Sequence, residues 1–200
     1  MDYASAFGYS NEASGLASSA VGFRNKAASE NASAVGYGNN ANALAASAVG
    51  YNNTAGGVGS STIGYNNTAT NENASAFGYG NTAGGLASSA FGFSNTASGD
   101  NANAFGYNNI ASGSKSNVFG TGNTVSGSSS TAVGTANEVA AENSTAIGNN
   151  NTISSGAENS AALGNNISIS LKDSVALGNN STATAINSVT AVSYTHLTLP

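Results

Sequence analysis

Small and large apolar residues alternate along this chain in runs of five that close on a glycine, as in Ala74-Ser75-Ala76-Phe77-Gly78. That glycine returns at Gly8, Gly22, Gly36, Gly50, Gly64, Gly78, Gly92, Gly106, Gly120, Gly134 and Gly148, always fourteen residues on, then at Gly164 after sixteen and Gly178 after fourteen. The result is thirteen units and one two-residue insertion, which the register puts in a turn around Ser155 to Asn159. A similar second half follows each run, as in Asn81-Thr82-Ala83-Gly84-Gly85. Alternation with period two is a strand signal, and Gly and Asn between runs are turn signals. Helix competes locally because Ala is the best helix former, but a Gly every seven residues costs about 1 kcal/mol each. The pattern therefore predicts an all-β parallel β-solenoid, a β-roll of 14-residue coils. Each coil has two strands of about five residues and two short turns. At about 4.8 Å per coil, the stack is a rod on the order of 60 Å long.

Residues 4–23 and 74–93, five units apart, differ at only four of twenty positions, as expected of a duplicated block of five coils. The solenoid is expected to span residues 1–189 as one domain of thirteen coils. Register holds through Asn187-Ser188-Val189, but Val192 stands where the next glycine belongs. Residues 193–200 match no unit and resemble a translated adapter sequence. The reading is that 190–200 is a non-repeat tail, a sequencing or assembly artefact.

Stacking converts each repeat position into a ladder. The small residues of the first run, as in Ala4, Ala6 and Gly8 or Ser88, Ala90 and Gly92, are assigned to the inside of a flattened roll. Facing them are Ala13, Ala27, Ala41, Ala55, Ala69, Ala83, Ala97 and Ala111, with Val125, Val139, Ile153 and Ile169 further on, where the roll is expected to widen. The residue before each glycine is always large and apolar: Phe7, Val21, Val35, Val49, Ile63, Phe77, Phe91, Phe105, Phe119, Val133, Ile147, Leu163 and Leu177. Its parity is opposite, so it points outward toward partner chains. The competing assignment makes these side chains the core. Polar residues at the matching outward places of the second strand, Glu12, Lys26, Asn40, Thr54, Thr68, Thr82 and Thr96, favour the first assignment.

Two further ladders flank the glycine. Tyr9, Phe23, Tyr37, Tyr51, Tyr65, Tyr79, Phe93 and Tyr107 follow it in the first eight units, replaced by Thr121, Thr135, Asn149, Asn165 and Asn179. These rings either cover the edge of an interface or form a ligand-binding ridge, which makes Tyr9, Tyr37, Tyr51, Tyr65, Tyr79 and Tyr107 the candidate ligand contacts. Asn holds the third place after the glycine in eleven consecutive units, from Asn11 and Asn25 to Asn151. Either a left-handed turn or stacked amides bonding coil to coil accounts for it. Neutral amides are poor substitutes for the carboxylates of calcium-binding solenoids, and no metal or other cofactor is expected. Triplets such as Asn52-Asn53-Thr54 follow from the repeat and are not read as glycosylation sites.

Composition narrows the function. Only 6% of residues are charged, with net charge -5 and 40% hydrophobic residues, which disfavours disorder. Four basic side chains, Arg24, Lys26, Lys115 and Lys172, cannot neutralise a phosphate backbone, so nucleic acid is not an expected partner. The absence of Cys excludes disulfides and thiolate metal sites. No apolar run approaches a membrane span, so this segment is not expected to insert into a membrane. Met1 leads straight into repeat sequence, which places any export signal outside the chain. The single histidine, His196, lies outside the repeat and the carboxylates do not converge, so no enzyme is expected.

Asn31-Ala32-Ser33-Ala34-Val35-Gly36, Asn143-Ser144-Thr145-Ala146-Ile147-Gly148 and Asp173-Ser174-Val175-Ala176-Leu177-Gly178 resemble the Asn-Ser-Val-Ala-Ile-Gly repeats of trimeric autotransporter adhesin heads, the YadA-like family of Gram-negative bacteria. The resemblance covers residues 2 to about 189. It implies a left-handed roll, a homotrimer, and adhesion to an extracellular matrix protein or to a host or bacterial cell-surface ligand. It also implies an extracellular position on the bacterial surface, held to the outer membrane by a C-terminal anchor. The left hand comes from the family alone, since the usual crossover rule favours the right. Stalk heptads and membrane strands are not found in this sequence. A passive rigid spacer in a surface fibre stays open as an alternative. So does an ice-binding solenoid, although its Thr array is interrupted by Glu12, Lys26, Ile110 and Glu138.

Overall fold

The computed structural model describes residues 3–191. Its strands lie in two parallel sheets, one of fourteen strands and one of twelve, and successive coils supply neighbouring strands to each. In the first sheet the strands are five residues long, as in Ser33–Tyr37 and Ser47–Tyr51, and pair residue for residue fourteen apart, with Ala34 opposite Ala48 and Gly36 opposite Gly50. In the second they shrink to two residues, as in Thr54–Ala55 and Thr68–Ala69. This is shorter than the five residues expected there. A 14-residue coil must reverse twice, and the wider reversal consumes the rest of the second half: Gly59 lies in the left-handed region (φ 66°), and Ser60 N–H donates to Gly57 O at 3.0 Å.

Each coil passes through left-handed backbone at two places, one in each turn. The residues there include Asn52 (φ 58°), Asn66 and Asn150 at one turn and Ala45 (φ 55°), Asn73 and Asn143 at the other. Asn tolerates this conformation better than most L residues, while Ala and Lys115 occupy it under the constraint of the coils above and below.

The ladder glycines have a different cause. Gly50 sits at φ 118°, and a Cβ there would overlap the carbonyl oxygen of Gly64 in the next coil. Backbone approach between coils fixes glycine at this position, and not the narrow interior to which the sequence assigned Gly8 and Gly92: Gly8, Gly78, Gly92 and Gly106 are exposed and Gly50 is half-buried.

The other interior positions lie where parity puts them. Ala34, Ala48, Ala76 and Ala90 on the long strands and Ala27, Ala41, Ala55 and Ala83 on the short ones are fully buried. Ala4 and Ala6 are exposed and Ala13 is half-buried, because they belong to the first coil, which has a neighbour on one side only. Beyond residue 117 the short strands change from Ala to Val125, Val139, Ile153 and Ile169 and Val118 enters the core, while Ala132, Ala146, Ala162 and Ala176 remain on the long strands.

The insertion is absorbed without loss of register. Ala146 pairs with Ala162 and Ile153 with Ile169, sixteen apart. Ser154 N–H donates to Ile169 O as Ala140 N–H does to Ile153 O, and buried Ala157 occupies the place of buried Ala141. The two added residues are therefore Ser155 and Gly156, both exposed. At the other end the ladder runs to Ala191, since Val189–Ala191 pairs in parallel with Val175–Leu177. This takes it two residues past the boundary drawn at 189, because backbone pairing needs only extended chain. The segment 193–200 lies outside the described residues.

Candidate adhesive and assembly surface

Parallel in-register pairing sets like residues over like, and the outer face of the long sheet carries the result. Each long strand turns three side chains outward. In Ser75–Tyr79 these are Ser75, Phe77 and Tyr79. Stacked over the coils, they form a small polar ladder, an apolar ladder and an aromatic ladder side by side.

None of the apolar ladder is buried. Phe7 is 76% exposed, Ile63 50% and Leu177 36%, while Val49, Phe77, Phe91 and Phe105 are half-buried. Partial burial comes from neighbours within the ladder: Phe91 stacks on Phe105 at 4.9 Å, Phe105 on Phe119 at 5.3 Å, and Phe77 meets Phe91 edge-on at 4.7 Å. The stripe continues through Val133, Ile147 and Leu163. An exposed apolar band of this length is a feature that solitary soluble chains rarely carry.

Beside it, Tyr9, Phe23, Tyr37, Tyr51, Tyr65, Tyr79, Phe93 and Tyr107 form one continuous stack with centroids 4.8–5.2 Å apart and planes within 15° of parallel. Their faces cover one another and their edges meet solvent. Arg24 lies 5.1 Å from the Phe23 ring centroid. Beyond the rings stand Thr121 and Thr135, and then Asn149, Asn165 and Asn179 continue the ladder by amide bonds of 2.8 Å between neighbours.

The inner Asn ladder resolves its two readings in favour of stacked amides. Asn67 Nδ2 donates to Asn53 Oδ1 (2.9 Å), Ile63 O (3.1 Å) and Gly78 O (2.8 Å), while its backbone N–H also donates to Asn53 Oδ1 (2.9 Å). The left-handed residue is the one before it, Asn66. Every rung is buried from Asn25 to Asn151, and Ile167 then ends the rail by donating its N–H to Asn151 Oδ1. On the opposite edge a serine rail joins the later coils, with Ser144 N–H donating to Ser130 Oγ and Ser160 N–H to Ser144 Oγ. These rails hold the surface ladders in register.

The face of the short strands is polar except at Ile110, which is exposed. Thr54, Thr68, Thr82 and Thr96 stand in register, and Lys26 pairs with Glu12 at 3.2 Å. One surface escaped the sequence reading. Leu16, Leu44, Val58 and Leu86 project from the wider turn, each more than 40% exposed, with acidic residues Glu30, Glu72 and Asp100 at intervening coils. Their signal was available, because each stands six residues before a ladder glycine, but the irregular alternation with acids masked it. Among the described residues there is no pocket, no group of three potential metal ligands, and no helix long and apolar enough to cross a membrane.

The fold is a parallel β-solenoid of similar coils that carries its chemistry as surface stripes. The model of the YadA head domain repeat (2 copies) matches residues 1–25, 55–81, 83–109, 126–151 and 172–189, and the chain belongs to that family. Four of the five matches span just under two coils, the unit which that model describes. The unmatched stretches 26–54 and 110–125 keep the fourteen-residue pairing, and 152–171 pairs sixteen apart across the insertion. No curated protein matches the chain significantly.

Proposed function

We propose that this chain is the non-enzymatic head of a homotrimeric adhesin, displayed outside a bacterial cell at the outer membrane. The observation that carries this reading is the unbroken outward apolar ladder from Phe7 to Leu177. Three such stripes turned toward a common axis cover one another, as three-fold assembly of one chain requires. The ligand is an extracellular matrix protein or a host or bacterial cell-surface component, bound by many weak contacts. Repeating a weak site along the rod and across three chains raises avidity by about 10² to 10⁴ without any single strong contact. Neither a membrane nor nucleic acid is a partner of this segment.

The test is binding of the full chain, trimerised on a coiled-coil fusion, to collagen, fibronectin, laminin and glycan arrays, beside a variant with Tyr37, Tyr51, Tyr65 and Tyr79 changed to Ser. Loss of binding in the variant assigns the ligand contacts to the aromatic ridge. Retained binding moves them elsewhere on the rod. A second reading, the passive spacer, is favoured by the ring faces being covered by one another. A folded trimer that binds nothing on the panel would support it.

A further inference from the structure

Within the aromatic stack, Tyr37, Tyr51, Tyr65 and Tyr79 are four consecutive tyrosines bounded by Phe23 and Phe93. Their centroids are 4.8, 4.9 and 4.8 Å apart and their planes lie within 4° of parallel. In-register pairing of Tyr37 with Tyr51 and of Tyr65 with Tyr79, with rings stacked near parallel, sets each phenol against its counterpart in the next coil. All four rings are between 39% and 47% exposed, so an oxidant in solution reaches their edges.

We infer that this run is a site of oxidative covalent stapling, in which neighbouring coils become joined by dityrosine. The oxidant is hydrogen peroxide acting through a haem peroxidase. One peroxide takes one electron and one proton from each of two phenols and leaves as two waters. The two tyrosyl radicals join through their ortho carbons in one new C–C bond. Each ring then returns its ortho hydrogen to its own oxygen as a proton shift and regains aromaticity. The sum is two tyrosines and one peroxide giving one dityrosine and two waters.

Coupling within the chain outruns coupling between chains, because the partner ring is held alongside at an effective concentration that no dilute solution matches. Phenylalanine lacks the phenol, so the reaction stops at Phe23 and Phe93. Tyr9 and Tyr107 have only phenylalanine as an aromatic neighbour and serve as internal controls. Joining Tyr37 to Tyr51 and Tyr65 to Tyr79 uses all four rings and ties four successive coils in two pairs.

The test treats the dilute full-length chain with haem peroxidase and hydrogen peroxide, and reads dityrosine fluorescence, denaturing gel mobility and the masses of peptides cut after Asp and Glu. Cleavage at Glu72 leaves Tyr65 and Tyr79 on different peptides, so their staple is seen directly. The expected result is dityrosine in the single-chain band, a Tyr65–Tyr79 linked peptide, and no linked Tyr9 or Tyr107. The double variant Y51F/Y65F keeps the stacked rings and is expected to lose the intrachain signal. Phe93→Tyr is expected to bring Tyr107 into a linked peptide that bridges Asp100. Absence of dityrosine in the wild-type chain, its confinement to multimer bands, or full signal in Y51F/Y65F would each overturn the assignment.

Discussion

Asn81 donates both its backbone N–H and its side-chain Nδ2 to the single Oδ1 of Asn67, at 3.0 and 3.1 Å. The same side chain also donates to Phe77 O and Gly92 O, so one amide ties its own coil to the coils before and after it. In an interior made largely of alanine methyls, this rail contributes what large side chains supply elsewhere.

Replacing Asn67 with Ala should therefore cost far more than a surface change. It leaves the buried Asn81 N–H and the part-buried carbonyls of Ile63 and Gly78 without their amide partners. A buried unsatisfied group costs about 1 to 3 kcal/mol, and partial relaxation puts the expected loss at roughly 2 to 4 kcal/mol. Denaturant unfolding of variant and parent measures it. Asn67→Asp should be at least as damaging, since it removes the donors and buries a charge.

Two glycines separate steric need from turn preference. Gly50→Ala drives a methyl into the Gly64 carbonyl at φ 118°, and a loss of about 3 kcal/mol or more is expected. Gly122→Ala sits at φ 64° with nothing within 4 Å of the new methyl, and about 1 to 2 kcal/mol is expected. Equal losses in thermal or chemical unfolding would contradict this account of the ladder.

The apolar stripe bears on assembly. Changing Val35, Val49 and Ile63 together to Asp should convert a trimer into unfolded or monomeric chain, read by sedimentation and circular dichroism. These side chains are already about half covered by their ladder neighbours, so further burial on association stabilises by roughly 1 kcal/mol per residue, less than the 1.5 to 3 kcal/mol of a full transfer. A wild-type chain that sediments as a stable folded monomer would refute the trimer.

Deleting Ser155 and Gly156 together should leave the rod intact. Both are exposed, and their removal restores the 14-residue spacing on which the pairs on either side already depend. Stability is expected to change by about 0.5 kcal/mol or less, because a shortened loop adds little closure entropy. Circular dichroism melts decide it.

The path from repeat to coil was open to reading because a solenoid makes one decision thirteen times. The constant spacing gave the register, and the parity of Ala34 against Val35 gave inside and outside. Other features arise only when coils touch. The reason for Gly50 is the Gly64 oxygen in the next coil, and no residue near it in sequence announces that contact. For Asn67 the sequence left two readings, because both put Asn at a turn. Only the positions of Asn53 and Asn81 above and below it separate them. The short second strand was overestimated for a related reason: the alternation at Thr82-Ala83 continues into Gly84-Gly85, but those residues are needed for the reversal. The leucines of the wider turn were overlooked because attention to strand parity leaves turns unread.

Ladder bonds and amide rails alike run along the long axis, from coil to coil, and this fixes how the rod meets a mechanical load. Compression and bending act on a stack tied by every coil. Tension on the chain ends acts on one terminal coil at a time, as on the last tooth of a zip. Each coil that peels away frees 14 residues with a contour of about 46 Å and shortens the rod by only about 4.8 Å. The net extension is about 40 Å per coil, and the coils that remain keep their surface stripes unchanged. A head built this way is stiff when idle and yields like a reel when pulled.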